Sequence, residues 1–211
     1  VLVEAFWPDE DPASVEKNFH PTISHIRKAL NSRQSLKQNF IVFREGDYQL
    51  NPELSYSIDT EDFDRLIADA EAAKKGKDTE TFRRSLESAF EIYKAEFMSG
   101  VYDDWAEERR AYYAEQFDRV VSALAKLAFS EKRWSASLKY AQTVVRSDPF
   151  REDMHRLMMK VLAAQSKPAA VKKQFDGLKA ILAAELGIAP AAETRRLYQE
   201  LMRSTRPAVE R

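Results

Sequence analysis

No cysteine occurs among the 211 residues, which excludes disulfide and thiolate-metal frameworks and fits a reducing compartment. No apolar run approaches the roughly 20 residues needed to span a bilayer, so no membrane partner is expected. The segment Val1 to Trp7 is too short, and too acidic just beyond, for a secretory signal. Glycine is scarce, with five in the chain, and no Gly-rich phosphate loop, nucleophile elbow or zinc motif is present. The expectation is a cytoplasmic protein without enzymatic activity and without a cofactor.

The absence that points to function is local. Between Lys17 and Arg44 there is no Asp or Glu, while Lys17, Arg27, Lys28, Arg33, Lys37 and Arg44 stand there with two of the three histidines. The formal net charge of the whole chain is -1, so the remainder is net acidic. A basic stretch segregated in this way is the footprint of a surface that meets a polyanion, most often nucleic acid. Its bland reading is a solvated helix face and loop.

Apolar residues threaded through the stretch give it a shape. Val15, Phe19, Ile23, Ile26 and Leu30 recur at spacings of four, four, three and four, which places them on one stripe of a helix. The opposite face then shows Lys17, His20, Ser24, Arg27 and Lys28, with Thr22 and His25 at its borders. Upstream, Asp11-Pro12-Ala13-Ser14 reads as a turn and helix start, and Val1 to Trp7 as a short helix ended by Pro8. Pro21 lacks an N–H and crowds the carbonyl four residues back, so it is expected to kink the helix or delay its start toward Thr22, leaving Lys17 and Asn18 in the turn. Phe40 to Phe43 is a β-rich run, Glu45-Gly46-Asp47 a turn and Tyr48-Gln49-Leu50 a return strand. Helix, helix, hairpin is the order of a winged helix. His20 and His25 do not make a metal pair, because they lie five apart, on different faces, with no third ligand nearby.

From Asp59 onward the pattern is helical. With 44% hydrophobic and 32% charged residues, the composition is that of a globular, helix-rich chain of one large or two small domains. Phe63, Leu66, Ile67 and Ala70 form one stripe, closed by the turn at Lys75-Gly76-Lys77-Asp78; Phe82, Leu86, Ala89, Phe90 and Tyr93 form the next. A long helix is expected from Asp104, as N-cap, through Trp105 to about Phe129, followed by helices at 135–145, 152–164, 169–186 and 191–202. The turns at Arg133-Trp134 and Lys167-Pro168 lie 34 residues apart, the period of tetratricopeptide repeats, and Ala136, Ala141 and Val144 correspond across that shift with Ala170, Phe175 and Leu178. The fold class expected is mainly α, a partial winged helix of two helices plus a β-hairpin followed by a tetratricopeptide-like repeat domain. Met154, Met158 and Met159 are expected in its core, His155 in a structural role and Trp105 packed near Phe97 and Tyr102.

The run Phe97-Met98-Ser99-Gly100-Val101-Tyr102-Asp103-Asp104-Trp105-Ala106-Glu107-Glu108-Arg109 closely resembles a signature of the bacterial transcriptional activator domain, the helical module of the SARP family of antibiotic regulatory proteins. Asp148-Pro149-Phe150-Arg151-Glu152-Asp153-Met154-His155-Arg156-Leu157-Met158 and Glu185-Leu186-Gly187-Ile188-Ala189-Pro190, followed by Glu193-Thr194-Arg195, match the same module in order and spacing. The resemblance covers 59–203. Phe6-Trp7-Pro8, Ser14 to Phe19 and Ile26 to Leu30 likewise resemble the distal half of the OmpR-like winged helix that precedes this module, so 1–52 is read as a partial DNA-binding domain. Because the chain opens at Val1 without Met, upstream sequence is expected.

The resemblance implies a sequence-specific transcriptional regulator, an activator, with double-stranded DNA, RNA polymerase or other transcription proteins, and a second copy of itself as partners. The DNA-binding residues expected are Lys17, Asn18, His20, Thr22, Ser24, His25, Arg27, Lys28, Arg33, Lys37 and Arg44. The alternative is a tetratricopeptide-like interaction scaffold without autonomous DNA binding.

Overall fold

The computed structural model describes Trp7, residues 9–31 and residues 39–204, apart from the side chains of Pro12, Glu16 and Asn31. The helix expected at Val1 to Trp7 and the basic residues Arg33 and Lys37 lie outside the described residues. The chain divides into two compact units, one up to Ser57 and one from Ile58.

In the first unit, helix α1 spans Pro12–Asn31. Asp11 starts it: its Oδ1 accepts from the backbone N–H groups of Ala13 (2.9 Å) and Ser14 (3.2 Å), and its Oδ2 from the Ser14 hydroxyl (2.7 Å). Pro12 occupies the first helical position, where a missing N–H costs nothing. Pro21 does not delay the start of the helix. The helix runs through it without a break, so Lys17 and Asn18 are helical rather than part of a turn. Only the Lys17 carbonyl loses its N–H partner to the proline. One residue on, the Thr22 hydroxyl donates back to the Asn18 carbonyl (2.8 Å), and the packed face below holds the remaining turns together.

That packed face is shorter than the sequence stripe. Val15 and Ile23 are buried and Phe19 is half-buried, whereas Ile26 and Leu30 are 40% and 43% exposed. Length explains the difference. The hairpin is made of β1 (Ile41–Arg44) and β2 (Asp47–Leu50), four residues each, or about 13 Å of strand. Against it stands a 20-residue helix about 30 Å long, which it cannot cover. The strands pair antiparallel, Ile41 with Leu50 through Arg44 with Asp47. Glu45 (φ 55°) and Gly46 (φ 92°) form the two-residue loop, and positive φ at both positions is the signature of a type I′ turn. Asn51 is buried and closes the base of the hairpin, donating through Nδ2 to the Asn39 carbonyl (3.0 Å) and through its backbone N–H to the Phe40 carbonyl (2.8 Å).

The second unit is a succession of antiparallel helix pairs: α2 (Asp59–Lys75) with α3 (Thr79–Ile92), α4 (Asp104–Ser130) with α5 (Trp134–Ser147), and α6 (Glu152–Ala164) with α7 (Pro168–Ile181). The three tight turns are built alike. Lys77, Lys132 and Ser166 take left-handed φ of 57–58°, and the next residue, Asp78, Arg133 or Lys167, donates its N–H to the carbonyl five residues back. This is the Schellman closure of a helix end, here with a non-glycine residue in the left-handed position each time. Asp78 then caps α3, accepting from the Thr81 N–H (3.0 Å). Asp104 is not the cap expected; Asp103 takes that position and its side chain makes no capping bond.

The repeat registers hold in the packing. Ser137 and Val171, equivalent across the 34-residue shift, are both fully buried, and Val144 and Leu178 are both buried, whereas Ala141 is fully buried and its counterpart Phe175 only half-buried. The Ser137 hydroxyl donates to the Ala125 carbonyl (2.9 Å), which lets a polar side chain sit in the α4–α5 contact. Met154, Met158 and Met159 are core residues. The last long segment is not one α-helix: α7 ends at Ile181, Leu182–Leu186 widens into a π turn, and Gly187 (φ 66°) stops it. Helix α8 (Ala192–Ser204) packs back on α6 and α7. Glu152 accepts from the Ala191 N–H, the Arg156 guanidinium donates to the buried Thr194 hydroxyl (2.9 Å), and Phe175 stacks on Tyr198 with ring centres 4.1 Å apart. Trp105 is half-buried, while its neighbour Tyr102 is 82% exposed and takes no part in packing.

Candidate nucleic-acid interface

Helical spacing sets the outward face of α1. Lys17, Ser24 and Lys28 are exposed on it, with Pro21 between them, and successive members stand about one turn apart. Asn18 and His25 are exposed along one flank and His20 along the other. Thr22 is half-buried, its hydroxyl engaged with the helix backbone. The Asn18 amide reaches toward Glu10 at 3.5 Å.

Two of the expected residues are turned to other work. Arg27 is half-buried: its Nε donates to the Ile41 carbonyl of β1 (2.9 Å), and its guanidinium lies 5.5 Å from the centre of the Tyr48 ring. His20 Nδ1 meets the Tyr48 hydroxyl at 3.0 Å. Both therefore pin the helix to the hairpin, although helical spacing alone puts them on or beside the cationic face. Arg44, at the end of β1, is exposed and paired with Glu53 (2.7 Å). Such a pair between exposed partners is worth little, and a phosphate can replace the carboxylate.

Tyr48 is the residue the sequence reasoning missed. Its ring contacts Phe19 (5.6 Å between centres), His20 (6.0 Å) and its cross-strand partner Phe43 (4.9 Å), and it receives the Arg27 cation. An aromatic opposite an aromatic across a two-residue turn was the available signal. Phe43 itself is 58% exposed beside Arg44, near the tip of the hairpin. The arrangement is a rigid helix with a cationic outer face, held on its inner face by a hairpin through one aromatic hub. Among the described residues no group of His and acidic side chains is placed to hold a metal ion. No helix of the described residues is long and apolar enough to cross a membrane.

A helix and hairpin of this form in one unit, with stacked helix pairs in the next, define a winged-helix protein carrying a helical repeat module. Residues 58–202 match the family described as the bacterial transcriptional activator domain. The chain belongs to that family, in its SARP-type branch. Transcriptional regulatory protein MoaR1 of Mycobacterium tuberculosis is 25% identical over 214 residues, covering 96% of this chain and 65% of its own length. Regulatory protein AfsR of Streptomyces griseus is 24% identical over 213 residues, 99% of this chain and 21% of AfsR. The structure of Mycobacterium tuberculosis EmbR in complex with a low affinity phosphopeptide matches with a TM-score of 0.67 at 19% identity, over 96% of this chain and 54% of that one, a likeness of fold. The chain thus spans about two thirds or less of the length of these relatives.

Proposed function

We propose that this protein is a sequence-specific DNA-binding transcriptional regulator, an activator, in which α1 enters the major groove and the hairpin touches the adjacent backbone. The observation that carries the reading is the separation of the two faces of α1: Lys17, Ser24 and Lys28 point away from the unit, while Arg27 and His20 fasten the helix to the hairpin behind. Lys17, Lys28 and Arg44 meet phosphates, and Ser24 and His25 lie nearest the base edges. Arg33 and Lys37, which lie outside the described residues, add to the phosphate contacts by virtue of their charge. The helical repeat module serves dimerisation or contact with RNA polymerase or other transcription proteins, as its family membership supports. We assign no catalytic role, in keeping with regulatory relatives, and place the protein in the cytoplasm.

The test is selection of DNA sites from a random pool with the full-length protein, followed by the same selection with Ser24→Ala and Lys28→Ala. Lys28→Ala is expected to weaken all sites alike, and Ser24→Ala to relax the preference at one or two positions. Absence of any enriched site would leave the interaction scaffold as the standing interpretation.

A further inference from the structure

A second surface, in the repeat module and unrelated to the cationic helix, has the chemistry of a ligand site. Where the N-terminal turn of α2 faces the segment between α3 and α4 there is a cleft of about 390 Å³. That is within the range of roughly 300–1,000 Å³ typical of small-molecule sites. Four rings line it: Phe63 and Tyr113 from its floor, both buried, and Tyr93 and Phe97 from its side, both half-buried. Phe63 lies 6.0 Å from Tyr93 and from Tyr113, and Phe97 5.3 Å from Tyr113, centre to centre, so the rings form one continuous wall.

The rim is negative. Asp59 and Glu96 are exposed there, and neither has an ion-pair partner among the described residues. One basic side chain, Lys94, also stands at the rim, in an exposed pair with Glu91 (2.9 Å), so the rim carries two carboxylates against one ammonium. Burial, and then the nearby Glu96 carboxylate, push the Tyr93 phenol up. The wall is also held in place. Arg110 of α4 donates from Nε to the Phe97 carbonyl (3.0 Å) and from Nη2 to the carbonyls of Met98 (2.9 Å) and Val101 (2.6 Å), fixing a loop that has no regular structure of its own. A preformed aromatic wall beneath unpaired carboxylates is complementary to a positive charge carried on an apolar body, because ring faces and carboxylates both attract cations.

We propose that this cleft binds a small organic cation, an ammonium group attached to an aromatic or aliphatic body. The site stands independently of DNA binding and gives the repeat module an effector-type pocket.

Titration of the purified chain with benzyltrimethylammonium, benzyl alcohol and benzoate, followed by calorimetry and by amide chemical shifts, tests it. The cation is expected to bind with a Kd of about 1 mM or lower, a reasonable limit for a ligand of this size. It should bind at least about tenfold tighter than the neutral alcohol, the margin that one to two favourable cation–ring contacts supply. Shifts should centre on Phe63, Phe97 and Tyr113, and benzoate should not bind. Glu96→Gln should weaken the cation several-fold and Glu96→Lys should abolish its binding, with the melting temperature of both variants unchanged because Glu96 is exposed. Equal affinity for cation and alcohol, shifts centred elsewhere, no binding of the cation, or indifference to Glu96→Lys would each overturn the assignment.

Discussion

Replacing Arg27 by alanine separates two roles that its position on the helix leaves open. If Arg27 holds the winged unit together, the substitution removes a charge-assisted hydrogen bond to the Ile41 carbonyl, a cation over the Tyr48 ring, and the packing of a half-buried aliphatic stem. A hydrogen bond from a charged donor is worth about 1.5–3 kcal/mol when buried; with half of the side chain open to water we take about 1 kcal/mol. The ring contact adds about 0.5–1 kcal/mol and the stem about 1 kcal/mol, so the loss is about 2–3 kcal/mol. The hairpin amides report it, notably Asn51 N–H, which donates to the Phe40 carbonyl. Their hydrogen exchange should accelerate roughly 30- to 150-fold if they exchange by opening of this unit. Arg27→Lys should recover little, because an ammonium cannot reproduce the Nε geometry. Lys28→Ala is the control: stability within about 0.5 kcal/mol of the parent, with DNA affinity reduced. Unchanged exchange in Arg27→Ala, together with lost discrimination at a single base pair, would refute the structural role and return Arg27 to the base edges.

Three other outcomes are open to measurement. On the proposed reading, with Arg27 engaged internally, phosphate contacts would be drawn from Lys17, Lys28, Arg33, Lys37 and Arg44, and log K for DNA should fall against log[salt] with a slope of roughly -2 to -4 per bound subunit; a slope near zero in a protein that still binds would rule the electrostatic account out. Lys132→Gly and Ser166→Gly should each raise stability by about 0.5–1 kcal/mol in thermal unfolding, since glycine occupies the left-handed position without the Cβ penalty; a fall in melting temperature would show that these side chains contribute more than their backbone costs. His155 is buried, with Nδ1 facing the Gln174 amide (2.6 Å) and Nε2 the Pro149 carbonyl (3.1 Å), and burial holds its pKa below the ordinary 6.5. The native state therefore resists protonation that the unfolded chain accepts, so this contribution is complete above pH 6.5 and is lost as the pH falls below it. His155→Gln should flatten the decline of melting temperature on acidification, and an identical slope in both proteins would show that His155 is not its source.

Much of this architecture was legible without coordinates because it rests on short-range physics. Apolar residues at helical spacing can be buried on only one face, which located α2 through α8 to within a few residues. Glu45-Gly46 between two β-prone runs names its own turn, since few dipeptides tolerate positive φ twice. The 34-residue recurrence that announced stacked helix pairs survives in the burial of Ser137 and Val171. Pro21 went the other way, because a local penalty of a few kcal/mol is set against a packed face that only the folded unit possesses.

The cationic helix itself is a property of the sequence: residues 17 to 44 carry no acid, and the amphipathic period of α1 sets Lys17 and Lys28 opposite its apolar stripe. Which of the described basic side chains are engaged internally was decided by tertiary structure alone. Spacing specifies the angle of a side chain around the helix axis, but Arg and His are long enough to fold back over the edge of their face, and they do so wherever an acceptor is brought within reach. The Ile41 carbonyl and the Tyr48 ring and hydroxyl come from the two strands of the hairpin, 14 residues and more away from Arg27 along the chain, and their position beside α1 is set by how the hairpin packs. The aromatic cleft of the repeat module is non-local for the same reason, assembled from three helices and a loop whose approach no single stretch of sequence encodes.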